Sequence, residues 1–167
     1  MPDREASQLY SQGVALYRTQ QWQQSLIKFQ SALELYQQLG NCLSMASTLN
    51  NIGLVYASLD NYSAALRHYE ESLAIKRELG NREGEARTLA NMGDVLMVQT
   101  NPDQAIIYLR RAVDIYEAVR ADNQTLEPDL QVSFDTSVQD TYNVLATLLQ
   151  QQGLTSEAQQ VLDLLEN

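Results

Sequence analysis

Cysteine and histidine occur once each in the 167 residues, as Cys42 and His68. One cysteine cannot close an internal disulfide, which fits a reducing compartment. One cysteine and one histidine, 26 residues apart, do not make a zinc ligand set or a Cys–His nucleophile. Cys42 is expected as a small packing residue near a helix start. His68 is expected at a plain surface or inter-repeat contact beside the packing residue Tyr69. Proline is scarce (3 residues), so long helices can run unbroken. The 7 glycines form neither a GxGxxG turn nor a phosphate-binding loop. The acids Glu70, Glu71, Asp3 and Glu5 are read as solvated faces, because acid–base catalysis needs buried, facing groups. No apolar run is long enough to span a membrane, and MPDREASQ lacks the apolar core of a signal peptide. These absences predict a cytoplasmic chain with no catalytic, metal or cofactor site and no membrane association. Asn61-Tyr62-Ser63 and Asn123-Gln124-Thr125 match a glycosylation pattern, read as chance without a secretion signal.

Basic residues are missing from the last 47 positions. All 11 Lys and Arg lie within residues 1–120, against 13 acids, whereas residues 121–167 carry 8 acids, most of the formal −10. With no basic stripe, nucleic acid is excluded as the expected partner. The acidic end reads as a solubilising surface.

What the sequence does have is a period. Gly13, Gly53 and Gly93 are 40 residues apart, and the same step links Leu9, Leu49 and Leu89. It also links Ser25, Ala65 and Ala105, then Phe29, Tyr69 and Leu109, then Ala32, Ser72 and Ala112, then Leu35, Ile75 and Ile115. Within the second unit, Leu49, Ile52, Gly53, Tyr56, Ala65, Tyr69 and Ser72 have the spacing of two amphipathic helices joined by a tight turn. Gly53 and Ala65 are small because the two helices cross there, and Tyr56 and Tyr69 fill the space beside them. Asn101-Pro102-Asp103 reads as a helix start, Gly40 and Gly80 as helix C-terminal glycines, and Asn41 and Asn81 as caps of the next helix.

These residues resemble the tetratricopeptide repeat, whose signature places Leu, Gly, Tyr, Ala and Phe at such offsets. The usual period is shorter, and the longer one resembles the repeats of kinesin light chains and Pins-type polarity proteins, which bind cargo or peptides. The resemblance implies an all-α, right-handed superhelical solenoid of antiparallel helix pairs in a single domain over 1–167. Three units are expected at about 6–40, 46–80 and 86–120. A fourth, at about 139–167, follows out of step through Tyr142, Leu145, Ala146, Leu149, Gly153, Ala158, Leu162 and Leu165. An insertion at about 121–135, holding Pro128 and alternating Leu130, Val132 and Phe134, is expected as an ordered loop or short helix.

SVQDTYNVLATLLQQQGLTSEAQQVLDLLE, residues 137–166, is also similar to the repeat that precedes the caspase-like CHAT domain in bacterial proteins. That resemblance implies a regulatory or sensor arm of a larger protease, of which this chain is a fragment. In the last helix Ala158, Val161, Leu162 and Leu165 form one stripe that its neighbour can cover, and Leu164 is expected to face solvent. Arrays usually end in a polar cap. The end is therefore read as a fragment boundary or as the contact of a homodimer.

In such arrays the first helix of each pair lines a concave groove. The groove positions expected in the first unit are Ser7, Tyr10, Ser11, Val14, Tyr17 and Arg18. In the second they are Ser47, Asn50, Asn51, Leu54, Ala57 and Ser58, and in the third Arg87, Ala90, Asn91, Asp94, Met97 and Val98. The fourth offers Asp140, Asn143, Thr147, Gln150 and Gln151. Asn51 and Asn91 share a column, and their amides could hold a peptide backbone or equally tie neighbouring helices together. Arg87 could pair with a partner carboxylate. Chaperone-binding relatives carry a larger clamp of Lys, Arg and Asn. Tyr10 and Val14 occupy two of its columns here, so only Asn51, Arg87 and Asn91 remain and the clamp is incomplete. The expected function is a protein–protein interaction scaffold that takes a peptide or helix of a protein partner in this groove.

Overall fold

The computed structural model describes residues 2–122 and 128–166, with side chains over 2–122 and 138–166. Its eight helices are α1 (Pro2–Arg18), α2 (Trp22–Leu39), α3 (Cys42–Ser58), α4 (Tyr62–Glu78), α5 (Arg82–Val98), α6 (Pro102–Asp122), α7 (Pro128–Gln151) and α8 (Thr155–Glu166). No strand occurs among the described residues. All three prolines of the chain, Pro2, Pro102 and Pro128, are the first residue of a helix. There the missing N–H has no intrahelical partner to lose. Pro128 therefore opens α7 where an ordered loop or short helix is expected, and residues 128–135 are the first turns of a 24-residue helix. The rest of the proposed insertion divides: Ala121 and Asp122 end α6, and 123–127 lie outside the described residues.

The chain divides into two compact units, Met1–Gly84 and Glu85–Asn167. In the first, α1 packs on α2, α2 on α3 and α3 on α4. The pairs are antiparallel, since Gly13 meets Phe29 while Ser7, earlier in α1, meets Tyr36, later in α2. α1 and α3 run side by side one repeat apart, through Tyr10 with Asn51 and Tyr17 with Ser58. The core of this unit gathers Phe29, Ile52 and Val55, with a second cluster of Ala6, Ala32 and Tyr36. Two buried hydroxyls are satisfied across a helix pair. The Ser25 hydroxyl donates to the carbonyl of Gly13 at 2.9 Å, and that of Ser72 to Ala46 at 2.7 Å. In the second unit Gly93 of α5 lies against Leu109 of α6, α6 packs on α7, and α7 packs on α8.

The small residue at each crossing has a direct cause. A Cβ on Gly13 would sit 2.7 Å from the ring of Phe29, one on Gly53 would overlap the ring of Tyr69, and one on Gly93 would sit 2.7 Å from Leu109. The columns found by spacing are thus contact pairs, each glycine facing the large residue sixteen positions on.

Helix ends repeat every 20 residues. The side chains of Asn41, Asn61, Asn81 and Asn101 each accept the backbone N–H three residues on, from Ser44, Ala64, Gly84 and Gln104. Asn61, read above only as a chance glycosylation pattern, is one of these caps. Gln21 stands at the equivalent start of α2 and makes no such bond. Cys42, expected to pack, is exposed just after a cap.

Candidate functional site

In the first unit, the turn from α1 to α2 and the stacking of α1 beside α3 leave a cleft of about 320 Å³. Tyr10, Val14, Tyr17 and Arg18 line it from α1, Phe29 from α2, and Asn51 and Leu54 from α3. Six of these seven occupy positions expected in the groove, and they converge on one concavity. Phe29 is the addition. Its column marked it as a packing residue, yet its ring, tilted against Tyr10 at 5.6 Å, also forms the cleft floor.

Polar groups in the cleft are few and ordered. Asn51 Nδ2 donates to the Tyr10 hydroxyl at 2.9 Å, so this amide does tie neighbouring helices. The Tyr10 O–H and the Asn51 Oδ1 keep donor and acceptor capacity beyond that bond. Tyr17 and Ser58 share a hydroxyl contact of 3.3 Å, and Tyr17 also packs on Trp22 with ring centroids 5.0 Å apart. Arg18 is exposed and makes no ion pair among the described residues. No acid lines the cleft.

Two other expected groove residues of this unit behave differently. Asn50 is buried, at 4% exposure, and is not displayed to a partner. One residue before Asn51 is a rotation of about 100° around the helix, enough to turn the side chain from groove to interior. Ser47 is half-buried, and its hydroxyl donates to the Leu43 carbonyl at 3.1 Å. Elsewhere, His68 stacks on Tyr56 at 5.1 Å with its Nδ1 against the Ala64 carbonyl, a surface contact within one repeat.

In the second unit Arg87 is exposed, and Asn91 and Met97 are half-buried on α5. Asp94, on the same face, has its carboxyl raised above the ordinary value of 3.8, first by desolvation and then by the charge of Asp140 on α7. Asp94 keeps an exposed surface, so the desolvation is partial. Asp140, Asn143, Thr147 and Gln150 are exposed along α7, whereas Ala90 is buried. The two units differ in charge. Seven Lys and Arg stand against eight acids in the first unit, and four against thirteen in the second.

The far side of the second unit corrects one expectation. Leu164 is half-buried rather than facing solvent. It lines a cleft of about 280 Å³ with Val113, Leu145, Leu149 and Val161, and its carbonyl accepts from Arg120 Nη1 at 2.8 Å. Arg110 pairs with Glu157 at the same cleft. Two arginines of α6, Arg110 and Arg120, thus hold α8.

Among the described residues no group of His, Cys, Asp and Glu could hold a metal ion, and no helix is long and apolar enough to cross a membrane. None of the curated proteins matches the sequence. Solved structures do match. BtubC (BKLC) from P. vanneervenii has a TM-score of 0.79 at 18% identity, over 99% of this chain and 63% of that one. Aspartyl phosphate phosphatase F from Bacillus subtilis has 0.83 at 17% identity, over 96% and 39%. A Podosopora anserina protein described as a kinesin light chain of nearly identical TPR-like repeats has 0.60 at 15%, over 99% and 94%. At such identities the likeness is one of fold, and the chain spans less than two thirds of the first two proteins. The sequence profile of the tetratricopeptide repeat matches residues 4–78 and again 44–118, together well over half of the chain. Its period, its glycine crossings and its capped helix pairs have the same explanation: the chain belongs to the tetratricopeptide repeat family.

Proposed function

We propose that the chain is a protein-interaction scaffold that holds an extended peptide or a helix of a partner on the groove faces of its units. In the first unit that face is α1 with α3, and in the second it is α5 with α7. One observation carries the reading: Tyr10, Val14, Tyr17, Asn51 and Leu54, expected in the groove from the resemblance and their offset from the packing positions, line a single cleft with mostly apolar walls and a few ordered polar groups. Such a surface suits an amphipathic segment. The remaining groove residues, Ser47, Arg87, Asn91, Asp94 and Met97, flank the path of such a segment in their own units. The partner is a protein in the cytoplasm, and the chain itself carries out no chemistry on it.

Affinity capture tests this, with wild type as bait against the combined Asn51→Ala, Arg87→Ala and Asn91→Ala variant. Partners recovered by wild type are expected to be lost from the variant while helicity by circular dichroism is unchanged. Full recovery by the variant removes the groove.

A second reading is favoured by α8, where Val161, Leu162, Leu164 and Leu165 are all only half-buried. That face could meet a second copy of this chain, or further repeats of a longer protein such as a caspase-like protease with a CHAT domain. Sedimentation velocity separates the first option from a monomer, and the reading frame past Asn167 decides the second.

A further inference from the structure

The first-unit cleft says more about its occupant than that it is a peptide. At about 320 Å³ it stands near the small end of binding pockets, the size for one large side chain and the main chain beside it. Its walls are aromatic and aliphatic, so the inserted side chain is apolar. The bond from Asn51 Nδ2 to the Tyr10 hydroxyl at 2.9 Å fixes both side chains and leaves the Tyr10 O–H as a donor and the Asn51 Oδ1 as an acceptor. One peptide unit of an extended chain needs one of each. The only charged group in the lining is the Arg18 guanidinium, with no acid beside it.

We infer that this cleft is the anchor subsite for an extended partner segment in which a large apolar side chain adjoins an aspartate or glutamate. The apolar side chain enters between Val14 and Leu54, the neighbouring peptide unit bonds to Tyr10 and Asn51, and the carboxylate lies on Arg18. Charge complementarity sets the sign of the flanking residue. The first unit as a whole is nearly neutral, seven basic residues against eight acids, so it does not repel a carboxylate at long range. This rests on the groove reading above and adds to it the sequence class of the partner.

The chain carries its own reporter. Trp22 is the only tryptophan and packs, tilted, on Tyr17, a wall of the cleft, with ring centroids 5.0 Å apart. Three capped hexapeptides serve as probes: acetyl-Gly-Ser-Leu-Asp-Ser-Gly-amide and its versions with Ala for Leu or Lys for Asp. Titrated at low salt, the Leu-Asp peptide is expected to change Trp22 emission and bind about tenfold more tightly than Ala-Asp. It is expected to bind about threefold more tightly than Leu-Lys, a gap that closes at high salt. Arg18→Glu is exposed and should fold as wild type, which circular dichroism checks. This variant is expected to reverse the preference in favour of Leu-Lys. Leu54→Trp, which fills the cleft, is expected to abolish binding of all three.

Equal affinity for the Leu and Ala peptides, an unchanged preference in Arg18→Glu, or no binding by any peptide up to millimolar concentration would overturn the inference. If the peptides fail while captured partners still depend on Asn51, Arg87 and Asn91, the anchor assignment falls and the groove stands. If neither experiment responds, both fall.

Discussion

The ring of Tyr69 lies so close on the Cα of Gly53 that a single methyl group there would overlap Cε1 and Cδ1 of the tyrosine. Tyr69 is 1% exposed, so the ring has nowhere to retreat. Overfilling a packed core costs about 1–3 kcal/mol, and the better helix propensity of alanine returns at most about 1 kcal/mol. Gly53→Ala is therefore expected to destabilise the chain by about 1–2 kcal/mol in urea unfolding. Gly93→Ala is expected to cost less, because Leu109 can change rotamer where a flat buried ring cannot. Gly13→Ala against Phe29 should fall between them or match Gly53. Equal costs at all three sites would mean that the crossing distance, not the facing side chain, sets the requirement.

The turns between the two helices of each repeat hold a residue in the left-handed region at Gln20, Asp60 and Thr100, with φ of 60°, 57° and 56°. Gly153 has the same place in the fourth pair, with φ of 78°. Each turn closes by the same bond, as from Asn61 N–H to the Tyr56 carbonyl at 2.9 Å and from Leu154 N–H to Leu149 at 2.9 Å. A β-branched residue is least suited to that conformation. Thr100→Gly is thus expected to stabilise by about 0.5–1 kcal/mol, after the greater unfolded-state freedom of glycine is subtracted. Asp60→Gly is expected to gain nothing, since aspartate tolerates the conformation and its carboxylate accepts the Tyr62 hydroxyl at 2.7 Å. Thermal melts of the two variants side by side give the comparison.

Four asparagines cap helices at 20-residue intervals, and Gln21 breaks the series. Its longer side chain reaches back to Thr19 Oγ1 at 2.9 Å instead of accepting from its own helix. Gln21→Asn should add a cap to α2 and stabilise by about 0.5–1 kcal/mol, whereas Asn61→Ala should lose about 1 kcal/mol. Amide exchange in the first turn of α2 would report the added cap directly. No slowing there would show that the backbone at Gln21 cannot adopt the capping geometry.

The fold was legible because its requirements recur at a fixed step, so each crossing glycine and each large partner could be checked against two other copies. What was lost is what occurs once or depends on rotation about a helix. Asn50 and Asn51 are neighbours of one type, and nothing in the sequence says which faces the interior. Pro128 follows acids and polar residues and so resembled a break, although Pro102 had already shown the same residue opening a helix. Phe29 was placed correctly in the core, but periodicity cannot reveal that one edge of a core residue also floors a cleft. The hold of Arg120 on the Leu164 carbonyl had no signal at all, because a backbone acceptor leaves no mark in sequence.

Asp94 makes stability depend on pH with a definite sign. Its folded carboxyl is raised above 3.8, chiefly because its surroundings desolvate the charged form and further because Asp140 carries like charge. A group raised on folding contributes stability below its unfolded value, and that contribution is lost as pH rises through the folded value. At neutral pH the native chain thus holds an anion that would be better solvated unfolded. Asp94→Asn, which removes the charge and keeps the shape, is expected to raise the melting temperature at about pH 7. It should change the melting temperature little at about pH 3, where wild-type Asp94 is already protonated. Asp140→Asn removes only the lesser cause and should recover less than half of that gain. The quantity to compare is variant minus wild type at each pH. A gain for Asp94→Asn that is equal at both pH values would show that it comes from packing, and that the carboxylate is not held at unfavourable charge.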